Sequence, residues 1–283
     1  MSNKVLAPPF KQESGFRLIA PDDIWRYREA VRALALLSLR VRYNNSFLGF
    51  LWSLGNPMFF AAIFTFVFTV VTHSGIKNFP IFVLSALLPW NFFQTGMMAA
   101  LASISGGREL ITKLPFPREI LPLANVLAES VNFSAAMFVL TLLLIPLGLW
   151  PGNGVLLLPL LIILLALFTA GVGMLLATLN VWLRDTEEFM KVFTFGWFFL
   201  TPIVYSLDTI PATRLFLGIP VHDLVLGINP ISTLIIAFRD ILYTPEVIPS
   251  LSLMASATAI SLITFVVGYL VFRRSSARFA EAV

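Results

Sequence analysis

The chain has 283 residues, of which 58% are hydrophobic and 12% are charged, whereas ordinary soluble domains carry about 25% charged residues. With a mean hydropathy of +0.88, this composition excludes an ordinary soluble domain and indicates one integral membrane domain. The net charge of +4 does not indicate a nucleic-acid partner, because the basic residues cluster at the ends of apolar runs. The absence of cysteine excludes disulfides and thiolate metal sites.

The N-terminal part divides into an expected cytoplasmic tail, residues 1–21, and a basic amphipathic helix, residues 22–45. At about 100° per residue, one stripe of that helix is apolar and comprises Tyr27, Ala30, Val31, Leu34, Leu37 and Val41. The other half carries Arg26, Arg28, Glu29, Arg32 and Arg40. Because a long apolar run follows directly, we expect this helix to lie on the cytoplasmic surface of the membrane. The alternative is a soluble amphipathic helix packed on a core.

Windows without charged side chains predict six transmembrane helices, since a hydrocarbon core of about 30 Å takes roughly 20 helical residues. The predicted spans cover residues 47–72, 78–107, 123–149, 155–181, 192–207 and 247–272. A strong turn sequence, Trp-Pro-Gly-Asn-Gly at residues 150–154, separates the third span from the fourth. The predicted fold is therefore an all-α, polytopic membrane domain over residues 46–272, followed by a tail of residues 273–283.

The distribution of basic residues predicts the orientation of the chain. If both termini are cytoplasmic, 16 of the 19 lysines and arginines lie inside, and only Lys77, Arg214 and Arg239 lie outside. The positive-inside rule therefore predicts a multi-pass protein of the cytoplasmic (inner) membrane with both termini inside. The outer segment of residues 208–246 is apolar in patches too short to span. It predicts short re-entrant helices packed in protein, or alternatively a plain outer loop.

Residues that could carry chemistry are few. The sequence lacks the G-x-x-x-x-G-K-[ST] motif that cradles phosphates, so this chain cannot hydrolyse ATP by that route. It has two histidines and no nucleophile or acid–base constellation, so we expect neither a catalytic nor a metal site. Glu129 is the only acidic residue within a predicted span, which makes it a functional candidate. If Glu129 lies only at the interface, it needs no special role.

Two predicted inner loops contain paired charges. The first, residues 104–122, includes Arg108, Glu109, Lys113, Arg118 and Glu119. These charges are either solvated or form a docking surface for a cytoplasmic partner. In the second, a short turn after the fourth span, Arg184 and Asp185 either pair to end the helices or form an ion pair at an inner gate.

Three motifs follow one another at the predicted inner face. The first, at the start of the first span, comprises Arg42-Tyr43, Ser46, Leu48-Gly49, Trp52 and Pro57. The second is Leu-Pro-Phe-Pro-Arg-Glu-Ile-Leu-Pro at residues 114–122, and the third is Asn180-Val181 with Arg184-Asp185. Together they resemble the type-2 ABC exporter permeases of polysaccharides such as O-antigen, capsule and teichoic acid. The resemblance covers nearly the whole chain, but none of the motifs specifies the glycan.

The resemblance implies a homodimer that works with two copies of a separate ATPase chain. That chain would bind ATP and Mg²⁺, so no cofactor is expected here. The implied ATPase contacts are the surface helix and the first inner loop, with Arg26, Arg28, Arg32, Arg40, Arg42, Arg108, Glu109, Lys113, Arg118 and Glu119. The implied channel lies between the two copies, along the first and fifth spans. Candidate lining aromatics are Phe59, Phe60, Phe64, Phe195, Trp197 and Phe198, although core or lipid packing is the alternative for each ring.

The implied function is the channel subunit of an ATP-driven exporter. A lipid-linked glycan would enter from the inner leaflet and thread to the outer side of the inner membrane. Two alternatives remain at this point: a type-2 ABC permease for a drug or lipid, and a secondary carrier driven through Glu129.

Overall fold

The computed structural model describes residues 27–43, 51–73, 75–107, 117–149, 152–207, 210–211, 213–216, 218–244, 247–276 and 278–279. These residues are mostly helical, as predicted. The first half contains α1 (Arg28–Tyr43), α2 (Leu51–Thr65) with its π-helical continuation (Phe66–Val71), α3 (Phe79–Leu101), α4 (Ser103–Gly106) and α5 (Ile120–Leu144). The second half contains a 3₁₀ turn (Asn153–Leu157), α6 (Leu158–Trp182), α7 (Thr186–Leu200), β1 (Leu215–Phe216), β2 (Ile219–Pro220), α8 (Val221–Ile228), α9 (Pro230–Leu242) and α10 (Leu251–Ser276).

Four helical segments of the described chain are long and apolar enough to cross a membrane: Phe79–Leu101, Ile120–Leu144, Asn153–Trp182 and Leu251–Ser276. They correspond to the second, third, fourth and sixth predicted spans. The predicted break at residues 150–154 falls between α5 and α6. There the chain leaves α5 through Gly148, whose φ of +72° is a left-handed conformation that glycine adopts without strain.

The first and fifth predicted spans contain helices that are shorter than these four segments. In the first, an apolar helix covers Gly55–Val71. The predicted bounds of the fifth, residues 192–207, are wrong at both ends, since α7 begins at Thr186 and ends at Leu200. Its start was missed because Glu187 and Glu188 lie in the first turn, where acidic side chains suit the helix dipole. Both also contact Lys191, at 3.2 and 2.6 Å. The count of six spans stays a prediction.

Helix α3 is the centre of the packed helices. Along its length Val83, Trp90, Phe93 and Met97 are almost completely buried, as expected of a helix that is apolar on every side. It contacts α2, α5, α6 and α9. Helix α7 is much less covered, since only Met190 and Thr194 of it are buried.

Helices α6 and α10 cross at a contact made by small residues. Gly171 of α6 lies against the backbone of Thr264, and Gly268 of α10 lies against the carbonyl of Gly171. A Cβ atom at either glycine would overlap backbone atoms of the other helix. Ala257 and Ser261 extend the same buried face of α10. Small residues of this kind let helix backbones approach closely within a membrane, where packing drives association.

The outer segment contains the short elements that the sequence predicts. The two-residue strands β1 and β2 form an antiparallel hairpin, and the following helices, over Val221–Gly227 and Pro230–Leu242, meet at 101°. Most of α9 is buried, including Ile231, Leu234 and Phe238. The structure thus has short helices here, and α9 is largely buried. Because the two helices together are also long and apolar enough to form one bent span, the re-entrant arrangement stays a prediction.

Candidate functional surfaces

At the inner end, α1 packs along α5 through small side chains. Ala35 lies against Ala124 and Ala128, with Val31 and Leu34 beside them. A polar link crosses the same contact: the Ser38 hydroxyl donates to the Asn125 side-chain oxygen at 3.3 Å. The Asn125 amide in turn donates to the Ala99 carbonyl of α3 at 3.4 Å. Helix α1 thus packs along the side of α5 and is linked through Asn125 to α3.

The apolar stripe predicted for α1 divides between two directions. Val31 and Leu34 face α5, but Leu37 and Val41 are 54% and 70% exposed. Periodicity shows which residues share a side but not what covers them, so the placement of this stripe on the membrane surface stays a prediction. Arg28, Arg32 and Arg40 are exposed, as predicted. Their ATPase-contact role stays a prediction.

The inner-loop charges are only partly described by the structure. Arg26, Arg108, Glu109, Lys113 and the side chain of Arg42 lie outside the described residues. Arg118 is half-buried, and burial lowers the pKa of its guanidinium, while the neighbouring Glu119 carboxylate acts in the opposite direction. Glu119 is only 6% exposed at the start of α5. The ATPase-contact role of both residues stays a prediction.

The charged side chains of the turn between α6 and α7 lie at the surface of the protein. Arg184 and Asp185 are both exposed, and within the described residues they form no ion pair with each other. Their role at an inner gate stays a prediction.

The six candidate aromatics divide into an exposed set and a packed set. Phe59, Phe60 and Phe195 are 64%, 43% and 70% exposed. Phe64 of α2 instead stacks on Phe198 of α7, with ring centroids 5.8 Å apart and planes 19° apart. This contact brings the first and fifth predicted spans together, and it leaves the three exposed rings on the surface of the pair.

The Trp197 ring packs against neighbouring helices rather than facing an open surface. Its ring meets Trp90 and Phe93 edge-to-face, with centroids 6.1 and 5.2 Å away. Its indole N–H donates to the side-chain oxygen of Asn229 at 2.8 Å. Sequence reasoning placed Trp197 with the lining aromatics because an aromatic-rich helix does not reveal which rings turn inward. The exposed rings of α7 also include Phe189, Phe193 and Phe199.

Glu129 lies deep in a helix junction. It is 6% exposed, and the Thr95 hydroxyl of α3 donates to its carboxylate at 3.4 Å. Across the same junction, a Cβ at Gly96 would meet Thr169 of α6 at 2.9 Å and the Glu129 Cβ at 3.8 Å. By helical rise, Glu129 is about 13 Å along α5 from its first residue. It is therefore a buried residue between α3, α5 and α6 and not one at the helix end.

At the outer end, the structure identifies two polar residues that sequence reasoning did not single out, Asn229 and Arg239. The Asn229 amide donates to the Thr201 hydroxyl at 2.8 Å and to the Leu200 carbonyl at 3.3 Å. The Arg239 guanidinium donates to the carbonyls of Ile203 and Tyr205 at 2.8 and 3.4 Å. The sequence offered one signal for each residue. Asn229 directly precedes a proline, and Arg239 lies inside an apolar stretch.

Comparison with known proteins covers nearly the whole chain. Residues 29–243 match the family described as ABC-2 type transporter. The O-antigen export system permease protein RfbA of Myxococcus xanthus is 32% identical over 261 residues, which are 92% of this chain and 98% of that protein. An RfbA protein of Klebsiella pneumoniae is 32% identical over 86% of this chain and 90% of its own length. The polysialic acid transport protein KpsM of Escherichia coli is 23% identical over 64% of this chain and 71% of its own length.

Proposed function

The chain belongs to the ABC-2 type transporter family, and from that premise we propose that it is the membrane-spanning permease of a polysaccharide exporter. The observation that carries the proposal is the match of 92% of this chain to a permease named for O-antigen export. The similarity to a polysialic acid transport protein supports the same substrate class. Neither a drug or lipid permease nor a carrier driven through Glu129 is favoured by these relatives.

The proposed topology has six membrane crossings, with α2 and α7 as the first and fifth, and both termini in the cytoplasm. It is supported by the four long apolar helices and by the excess of lysine and arginine at the proposed inner ends. The 15 helical residues of α7 span only about 22 Å. The fifth crossing would therefore be completed by the non-helical segment after Leu200.

We further propose that two copies of the chain face each other through α2 and α7. Large apolar patches on a protein surface mark interaction or membrane-contact sites, and Phe60 and Phe195 are exposed on the two helices that the Phe64–Phe198 contact joins. The lipid-linked glycan would pass between the copies. Aromatic rings suit such a path, because their electron-rich faces accept the polarised C–H groups of sugars.

In the proposed mechanism, the energy comes from two copies of a separate ATPase chain that bind ATP and Mg²⁺. Closure of the ATPase dimer would move α1 and the inner loop of residues 104–122. The packing of Ala35 on Ala124 and Ala128, with the Ser38–Asn125 bond, gives α1 a direct contact with α5. We expect the displacement to reach the channel through this sideways contact as well as through the chain that leads into α2.

Co-purification tests whether an ATPase partner exists. The tagged chain should retain an ATPase subunit, and the purified chain alone should show no ATP hydrolysis. The matched control is the same tag on a membrane protein of another family from the same cells. Retention of no nucleotide-hydrolysing subunit, or ATP hydrolysis by the chain alone, would contradict the proposal.

Cysteine cross-linking tests the proposed contact between copies, since the chain has no native cysteine. Phe60→Cys and Phe195→Cys should each give a cross-linked dimer with bifunctional maleimides of graded length. Ile163→Cys is the control, because Ile163 is 57% exposed on α6, away from this face. Equal cross-linking at Ile163 and at the two phenylalanine positions would exclude a specific α2–α7 interface.

A further inference from the structure

The chain turns into the protein directly after α7, whose last residue, Leu200, is itself exposed. After Leu200 the chain is no longer helical, yet Thr201 and Ile203 are completely buried and Val204 is 5% exposed. The last carbonyls of a helix have no partner within that helix. In an apolar environment such groups need other donors, and irregular backbone at membrane depth is tolerated only where protein supplies them.

The hydroxyls of Thr201 and Tyr205 donate locally to the carbonyls of Trp197 and Leu200. The donors from elsewhere in the chain come from one short stretch of the outer segment. Asn229, the residue just before α9, binds Thr201 and the Leu200 carbonyl, and it accepts the indole N–H of Trp197. Arg239, nearly three turns further along α9, binds the carbonyls of Ile203 and Tyr205. Asn229 therefore holds the last turn of α7, and Arg239 holds the chain just beyond it.

The environment of Arg239 favours a permanent contact. The side chain is 7% exposed, and its guanidinium lies 3.9 Å from the centroid of the Phe82 ring of α3. A cation is stabilised over an aromatic face and also at the C-terminal end of a helix. If the guanidinium left, the buried carbonyls would lose their donor and the arginine would need a new buried partner. Separation of α9 from the end of α7 would thus break several buried polar contacts at once.

We infer that Asn229 and Arg239 are positioning residues that join α7 to α9, so that the proposed channel wall and the outer helix move as one body during transport. This inference rests on the proposed function, because α7 lines a path only if the chain is an exporter. It specifies how the outer end opens: α9 keeps its contacts with the end of α7 and shifts with it. The alternative is an outer helix that swings away from α7.

A reversible disulfide distinguishes these two motions. Thr201→Cys with Asn229→Cys replaces the 2.8 Å hydrogen bond in a chain without other cysteines, and disulfide formation needs the two Cβ atoms within about 4.5 Å. When reduced, the variant should export less glycan by about tenfold, because buried groups lose their partners. Oxidation should restore export to within about twofold of the unsubstituted chain, because a covalent joint replaces the polar one.

Loss of export on oxidation, with recovery on reduction, would overturn the inference, because it would show that the two segments must separate. Free thiol labelling of both cysteines in the assembled transporter would overturn it as well, since Thr201 and Asn229 are buried where the two segments meet. Disulfide formation is read by thiol labelling and needs no substrate. If the unsubstituted chain exports no glycan, the proposed function fails, and the labelling result still reports on the joint.

Arginine variants separate a positioning role from a general loss of structure. Arg239→Gln should lower export by about tenfold, while the assembled transporter still hydrolyses ATP and retains its partner. Arg239→Lys should recover part of the loss, because one ammonium cannot reproduce a planar guanidinium on two carbonyls. Arg214→Gln, at an exposed arginine of the same outer segment, is the matched control and should export normally. Full export by Arg239→Gln would overturn the inference.

Discussion

The packed core around α3, together with the crossing of α6 and α10, differs from the part built from α2 and α7 in what covers its side chains. The outer faces of α5 and α10 are themselves exposed, as at Phe138 and Ile263. In the first part, Trp90 and Met97 are buried by neighbouring helices, and Gly171 and Gly268 bring two backbones together. In the second, Phe59, Phe195 and Leu200 are each more than 60% exposed. The comparison indicates that the first part supplies the stability of the single chain, whereas the second is completed by lipid, substrate or another copy.

The largest expected difference between the two parts is at their aromatic residues. Trp90→Ala should lower the free energy of unfolding in mild detergent by about 3–5 kcal/mol, because it empties a core site that also packs Phe93 and Trp197. Phe195→Ala is the control on α7 and should change the free energy of unfolding of the single chain by no more than about 0.5 kcal/mol. Equal losses for the two variants would break the comparison.

A smaller effect on stability is expected when a single methyl group is added at the contact between α6 and α10. Gly268→Ala places a Cβ against the Gly171 carbonyl, where backbone must move, at a cost of about 1–3 kcal/mol. Gly196→Ala, on α7, meets no atom within 4 Å and should be neutral or stabilising by up to about 1 kcal/mol, since alanine favours helix. Thermal unfolding of both variants in the same detergent would measure this. A melting temperature unchanged by Gly268→Ala would show that the two helices can separate at little cost.

The smallest effect is expected at the inner contact between α1 and α5. Asn125→Ala removes the links to Ser38 and to the Ala99 carbonyl, which are together worth about 1–2 kcal/mol. The amount of glycan exported per ATP hydrolysed should fall, because α1 would follow α5 less closely. Ser134→Ala is the control, since it removes only a hydrogen bond within α5, to the Ser130 carbonyl. An unchanged ratio in Asn125→Ala would argue against transmission through this contact.

Much of the packed part could be predicted from the sequence. Charge-free windows of sufficient length located α3, α5, α6 and α10, and the Trp-Pro-Gly-Asn-Gly turn separated two of them. The broken apolar patches of the outer segment likewise predicted short helices, and α9 is one of them. These features depend on local composition, which the bilayer thickness converts into helix length.

The features that escaped prediction depend on contacts between distant parts of the chain. The contacts of Trp197 with neighbouring helices and the early end of α7 follow from which helices are neighbours. Asn229 and Arg239 are significant only because the end of α7 lies beside them. A charged residue in an apolar segment indicates that a buried partner exists, but it does not identify that partner.

The most direct measurement is uptake of lipid-linked glycan into inside-out vesicles that contain this chain with its ATPase partner. The glycan should become protected in the vesicle lumen only when the partner and ATP are both present, and a protonophore should leave its uptake unchanged. Uptake that follows the proton gradient without the ATPase, or ATP hydrolysis without any glycan entering the lumen, would contradict the account.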